Sequence, residues 1–64
     1  MNEQKKRHCD EVAAAQYLDV SVKTLRNWRF HGTGPVFARF GRAVRYPLDE
    51  LEKFAHRSRV QVTA

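Results

Sequence analysis

Between Asp19 and Asp49 the chain has no acidic residue, although Lys23, Arg26, Arg29, Arg39, Arg42 and Arg45 all lie in that window. Its seven carboxylates (Glu3, Asp10, Glu11, Asp19, Asp49, Glu50 and Glu52) sit at the edges of the window or outside it. That absence excludes the mixed-sign surface by which soluble proteins avoid self-repulsion. What remains is a positive field suited to a polyanion. Cysteine is nearly absent: Cys9 is alone, which rules out an intramolecular disulfide and fits a reducing cytoplasm. No apolar run reaches the length of a membrane span, and the polar N-terminus lacks signal-peptide character. Nor does any segment oppose a broad apolar face to a lysine-rich one, so a membrane surface is not the expected partner. His8, His31 and His56 show no ligand spacing with one another or with Cys9, so no metal site is expected. A Ser/His/Asp set, a paired-carboxylate arrangement and a phosphate-cradling glycine loop are all missing. The chain therefore reads as a non-enzyme with no cofactor and no small-molecule ligand.

Sixty-four residues make one domain. A core this small is marginal, because a chain of roughly 60 residues buries only about 60% of its unfolded surface. A bound partner or self-association is expected to add stability. With 42% hydrophobic residues the composition is that of a folded domain, and the net charge of +5 favours nucleic acid as the partner. Three parts are expected: a flexible basic arm over residues 1–9, a folded domain over 10–57, and a tail over 58–64. The arm carries Lys5, Lys6 and Arg7, which can touch phosphate.

Asp10 is placed to cap a first helix, and Glu11 adds favourable charge at its positive end. In Val12-Ala13-Ala14-Ala15-Gln16-Tyr17-Leu18 the buried stripe comprises Ala14, Leu18 and either Ala15 or Tyr17. Small alanines let a second helix approach closely. Asp19 ends the first helix in the left-handed region, Val20 plugs the turn and Ser21 caps the next helix, with Thr24 in its first turn. Helix, tight turn and freshly capped helix make a helix-turn-helix. The second helix is expected over Val22 to His31, with Val22, Leu25 and Trp28 facing the first. Its other side shows Lys23, Thr24, Arg26, Asn27, Arg29 and Phe30 with no acidic residue at i,i+4. Arginine can bond two acceptors of guanine, asparagine can pair with adenine, and lysine and threonine suit phosphates.

Gly32-Thr33-Gly34-Pro35 stops that helix and turns the chain. Val36 to Phe40 and Val44 to Tyr46 then read as two short strands joined around Gly41-Arg42. A two-residue turn gives Gly41 the positive φ it tolerates but sets Arg39 beside Val44, on the face of Phe37 and Tyr46. A three-residue loop instead gathers Val36, Ala38, Phe40, Val44 and Tyr46 and leaves Arg39 and Arg45 on the other face. Either register puts Arg42 at the tip of a wing that must pack on the helices. Asp49, with Glu52 three residues on, suggests a reciprocally capped last helix from Glu50 to about Arg57, burying Leu51 and Phe54.

Together these residues resemble the small excisionase/AlpA-type DNA-binding proteins, a stand-alone form of the winged helix-turn-helix domain of MerR regulators. The resemblance rests on Ala14-Ala15-x-Tyr17-Leu18-x-Val20-Ser21, Thr24-Leu25-Arg26-x-Trp28 and Gly32-x-Gly34-Pro35-x-Phe37. It continues through Phe40-Gly41-Arg42-x-Val44-Arg45-Tyr46 and Asp49-x-Leu51-Glu52-x-Phe54. It implies a mainly α fold with a small β-hairpin. It also implies a recognition helix in the major groove (Ser21, Lys23, Thr24, Arg26, Asn27 and Arg29) and a wing on the minor groove or backbone (Arg39, Gly41, Arg42 and Arg45). Asp19 departs from the glycine common in that turn, and no long dimerisation helix or effector domain follows. The implied partners are double-stranded DNA, other copies of the chain on adjacent sites and a phage integrase, in the cytoplasm of a bacterial or phage-infected cell. Three functions fit these residues. They are an excisionase that bends DNA and directs site-specific recombination, an AlpA-like phage transcription regulator, and a protein-binding adaptor or antitoxin with a basic face.

Overall fold

The computed structural model of the chain describes residues 7–61. In chain order the elements are β1 (His8–Cys9), α1 (Glu11–Leu18), α2 (Val22–His31), β2 (Ala38–Phe40), β3 (Ala43–Pro47) and α3 (Leu48–Gln61). The result is the expected winged helix-turn-helix: mainly helical, with a small antiparallel sheet and a C-terminal helix.

Both helices of the motif start and stop as their residues dictate. Asp10 is extended and its carboxylate accepts from the Ala13 amide at 2.9 Å, while the Ser21 hydroxyl does the same for Thr24 at 3.0 Å. At the other end of α1, Asp19 takes φ 60, ψ 43, the only non-glycine with positive φ among the described residues. The Val20 and Asp19 amides donate to the Ala15 and Gln16 carbonyls at 3.0 and 3.2 Å. This is the Schellman closure, and α2 repeats it with Gly32, where the Thr33 and Gly32 amides reach Trp28 and Arg29. Aspartate thus reproduces the turn at a site where glycine costs less.

The core consists of Ala14, Ala15, Leu25, Tyr46 and Leu51. Ala15 completes the stripe on α1, whereas Tyr17 is exposed. Val22 and Trp28 pack against this cluster beside Leu25, and Trp28 meets Phe54 of α3 with ring centroids 5.5 Å apart. Gly34 is fitted to that tryptophan. A Cβ there would lie 2.8 Å from the Cβ of Trp28, and its φ of +83 is itself a glycine conformation.

Strand order in the sheet is β1-β3-β2, all antiparallel. The hairpin pairs Ala38 with Arg45, Arg39 with Val44 and Phe40 with Ala43, so the connection is the two-residue turn Gly41-Arg42. Gly41 alone has positive φ (+64), as a type II′ turn requires at its first central residue. Arg39 therefore does share the face of Phe37 and Tyr46. Its guanidinium lies 5.9 Å from the Phe37 ring centroid while its side chain stays exposed, so the charge remains solvated over an apolar surface.

Boundaries differ from the sequence reading in the sheet and in the last helix: β2 starts at Ala38, later than Val36, and β3 extends from Ala43 to Pro47. His8–Cys9, assigned to the arm, pair with Pro47 and Tyr46 as β1. Two residues cannot announce a strand by periodicity; the open edge of β3 supplies the partner. The last helix begins at Leu48, so Asp49 lies within its first turn and is not its cap. The first amide is satisfied by backbone instead, since Leu48 N–H donates to the Arg7 carbonyl at 2.9 Å. The helix also runs to Gln61, through residues assigned to the tail, because no glycine or proline interrupts 48–61. The rest of the arm, residues 1–6, and the end of the tail, 62–64, lie outside the described residues.

Candidate nucleic-acid interface

Where α2 faces the wing, an open cleft of about 520 Å³ is lined by Arg26 and Arg29 of the helix and by Arg39, Arg42 and Arg45 of the hairpin. Asp10 and Glu11, from the start of α1, line it too. Half of the site residues inferred from sequence thus converge, and Arg29 ties the helix to the hairpin through the Tyr46 hydroxyl and the Phe37 ring. The other residues on α2 lie outside the cleft. Lys23 and Asn27 are exposed, Thr24 is half-buried, and Ser21 is committed to its cap, its hydroxyl also 3.0 Å from that of Thr24. The Asn27 side chain stands clear while its carbonyl meets His31 Nδ1 at 2.8 Å. Gly41 and Arg42 form the exposed wing tip. Arg45 turns back, donating from Nη1 to the Val44 carbonyl at 2.8 Å.

Arg29 requires a correction. The helical pattern put it on the exposed side, but only 17% of its side chain is accessible. Its Nη1 donates to the Tyr46 hydroxyl at 2.8 Å and to Glu11 Oε1 at 3.3 Å, and its guanidinium lies 5.7 Å from the Phe37 ring centroid. The reason is tertiary: β3 delivers the wholly buried Tyr46 beneath the last turns of α2, and its hydroxyl needs a partner. Burial alone pulls the Arg29 pKa down, but the tyrosine and glutamate more than offset it, so the side chain stays charged.

No acidic residue within α2 is available to its arginines, and their partner comes from α1 instead. Glu11 is that partner from fifteen residues away. Arg26 donates Nε to Glu11 Oε1 at 3.2 Å and Nη2 to Oε2 at 2.6 Å, a bidentate pair. The hydrogen bonds from Arg26, with its charge and those of Arg29, hold the Glu11 carboxyl below the ordinary glutamate pKa, although partial burial works against them. The available signal was the motif itself, since a close-packed helix-turn-helix sets the start of its first helix beside the middle of its second.

Five arginines against two carboxylates give the cleft an excess of positive charge, which suits anionic groups. In this fold, a cationic cleft between second helix and wing defines the class as winged helix-turn-helix proteins that bind duplex DNA. Residues 12–59 match the helix-turn-helix domain family. The chain belongs to that family, whose members are the AlpA/excisionase-like small DNA-binding proteins, and its activity is sequence-specific binding of DNA. No curated protein matches the chain. Among the described residues no helix is long and apolar enough to cross a membrane.

Proposed function

We propose that this protein is an excisionase, a recombination directionality factor that binds repeated sites, bends the DNA and steers an integrase toward excision of a phage or mobile element. The observation that carries the reading is the single cleft shared by helix and wing. It makes one continuous surface for a duplex. In this reading α2 enters the major groove with Ser21, Lys23, Thr24, Arg26 and Asn27. The MerR-like wing reaches the adjacent backbone or minor groove with Arg39, Gly41, Arg42 and Arg45. Arg29 supports the surface from within.

Size argues for several copies. The ten residues of α2 span about 15 Å and cover only a few base pairs. Useful affinity then comes from neighbours on adjacent direct repeats, each raising the effective concentration of the next. Bending follows because a curved duplex gains contacts with successive wings that a straight one lacks. The protein works in the cytoplasm, on DNA, by binding alone and without a cofactor.

The test is an excision reaction with purified integrase and an attachment-site substrate. Adding the protein is expected to raise the yield of excised product, with cooperative protection of neighbouring repeats in a footprint. No gain in excision, together with protection confined to a promoter, would replace this reading with that of a transcription regulator. Binding indifferent to salt would count against DNA as the ligand.

A further inference from the structure

A guanidinium has two edges that can each make paired hydrogen bonds. Glu11 occupies one of them, the side edge formed by Nε and Nη2 of Arg26. The other, formed by Nη1 and the outer N–H of Nη2, carries none of the bonds to Glu11, on a side chain that is 61% exposed. That end edge presents two parallel donors, the match for O6 and N7 of guanine in the major groove.

The carboxylate that holds Arg26 is itself held. Glu11 is the first residue of α1, directly after the Asp10 cap, and its Oε1 also accepts from Arg29 Nη1. Arg29 in turn donates to the hydroxyl of Tyr46, whose ring is fully buried. A chain of bonds thus runs from the core through Arg29 and Glu11 to Arg26, whose second edge is left for a ligand. Without it the Arg26 head would rotate freely and could give either edge to a phosphate. With it, the occupied edge is closed to phosphate and the nearby negative charge repels one.

We infer that Glu11 is a positioning residue for base recognition, one that fits Arg26 to read guanine and disfavours its use as a phosphate contact. This rests on the DNA-binding reading and adds to it the base read and the residue that enforces the choice. A carboxylate on a DNA-facing surface lowers total affinity, and here it raises the ratio of specific to non-specific binding.

The experiment selects bound sequences from a pool of random duplexes with the full-length protein and reads base preference position by position. Wild type is expected to enrich guanine at one position that Arg26→Lys flattens. Glu11→Gln is expected to reduce that guanine preference about three- to tenfold, within the discrimination of a bidentate pair, while leaving other positions within about twofold. On unselected duplex it should bind more tightly, with a salt dependence steeper by about 0.9 in log–log slope as Arg26 gains a phosphate. In an Arg26→Ala background the same change should have no effect at that position. Full guanine preference in Glu11→Gln overturns the inference, as does a uniform loss at every position. Should Glu11→Gln fail to fold, Glu11→Asp, which keeps the charge but shortens its reach, is judged by the guanine preference alone: a loss at that position supports the inference, and full preference or a uniform loss overturns it. A wild-type protein that binds duplex but enriches no sequence overturns this inference, and one that binds no duplex overturns the DNA-binding reading itself.

Discussion

On the floor of the cleft, Arg29 is held by the Tyr46 hydroxyl, Glu11 and the Phe37 ring; at its rim, Arg42 stands exposed on the wing tip. Both are arginines of one acid-free window and count equally in net charge. Their surroundings give them different work. A charge removed from water interacts strongly with its few fixed partners, whereas an exposed one is screened within a Debye length of roughly 8–10 Å. The floor therefore stabilises and orients. The rim supplies field, and its effect is felt when phosphates arrive and counterions leave. Arg26 belongs to both, bound on one edge and open on the other.

The largest test of this division is Arg29→Ala. Losing the charge leaves the Tyr46 hydroxyl without this partner and is expected to cost about 1–3 kcal/mol of stability, read as a lower urea midpoint at unchanged slope. An unchanged midpoint would erase the distinction between floor and rim. Arg29→Lys should recover little, since an ammonium cannot present the planar fork.

Tyr46→Phe keeps the ring in place and removes one bond of the chain. A loss of about 0.5–1.5 kcal/mol is expected in thermal or denaturant unfolding. A larger loss would mean that the hydroxyl also organises the core.

The acid limb of stability sharpens the comparison further. Glu11 has its folded pKa lowered by Arg26 first and Arg29 second. Its contribution is therefore fully present above the ordinary glutamate value and is lost as pH falls through the lowered folded value. Glu11→Gln should flatten that part of the stability–pH curve; equal slopes in the two proteins would show that the ion pair contributes nothing measurable to folding.

The smallest effect on stability belongs to the rim. Arg42→Ala is expected to change unfolding by less than about 0.5 kcal/mol, as for surface positions generally. It should weaken binding evenly across sequences and lower the salt slope by about 1 if the residue meets one phosphate. A sequence-dependent loss would make the wing tip a reader of bases.

Much of the fold was legible because its signals are local. Asp10, Ser21 and Gly32 cap their helices through atoms within a few residues, and the spacing of Val22, Leu25 and Trp28 names the packed face without reference to distant chain. The wing was legible as a hairpin, but not its register, because both turn lengths satisfy local patterning and only the seat of Phe37 and Tyr46 on the helices separates them. The site was legible in composition and not in arrangement. Ten residues were inferred, five of them converge on the cleft, and one of those five, Arg29, is largely covered by its partners.

The order of residues by itself determined the caps of the first two helices, the turns that close them, the hydrophobic stripes and the one-signed charge of helix and wing, since each depends on neighbours within about one helical turn. The folded chain alone decided which arginine is buried, which is aimed and which is free. Those outcomes depend on Glu11 and Tyr46 arriving beside α2 from fifteen and seventeen residues away, and that meeting is fixed only when the core closes.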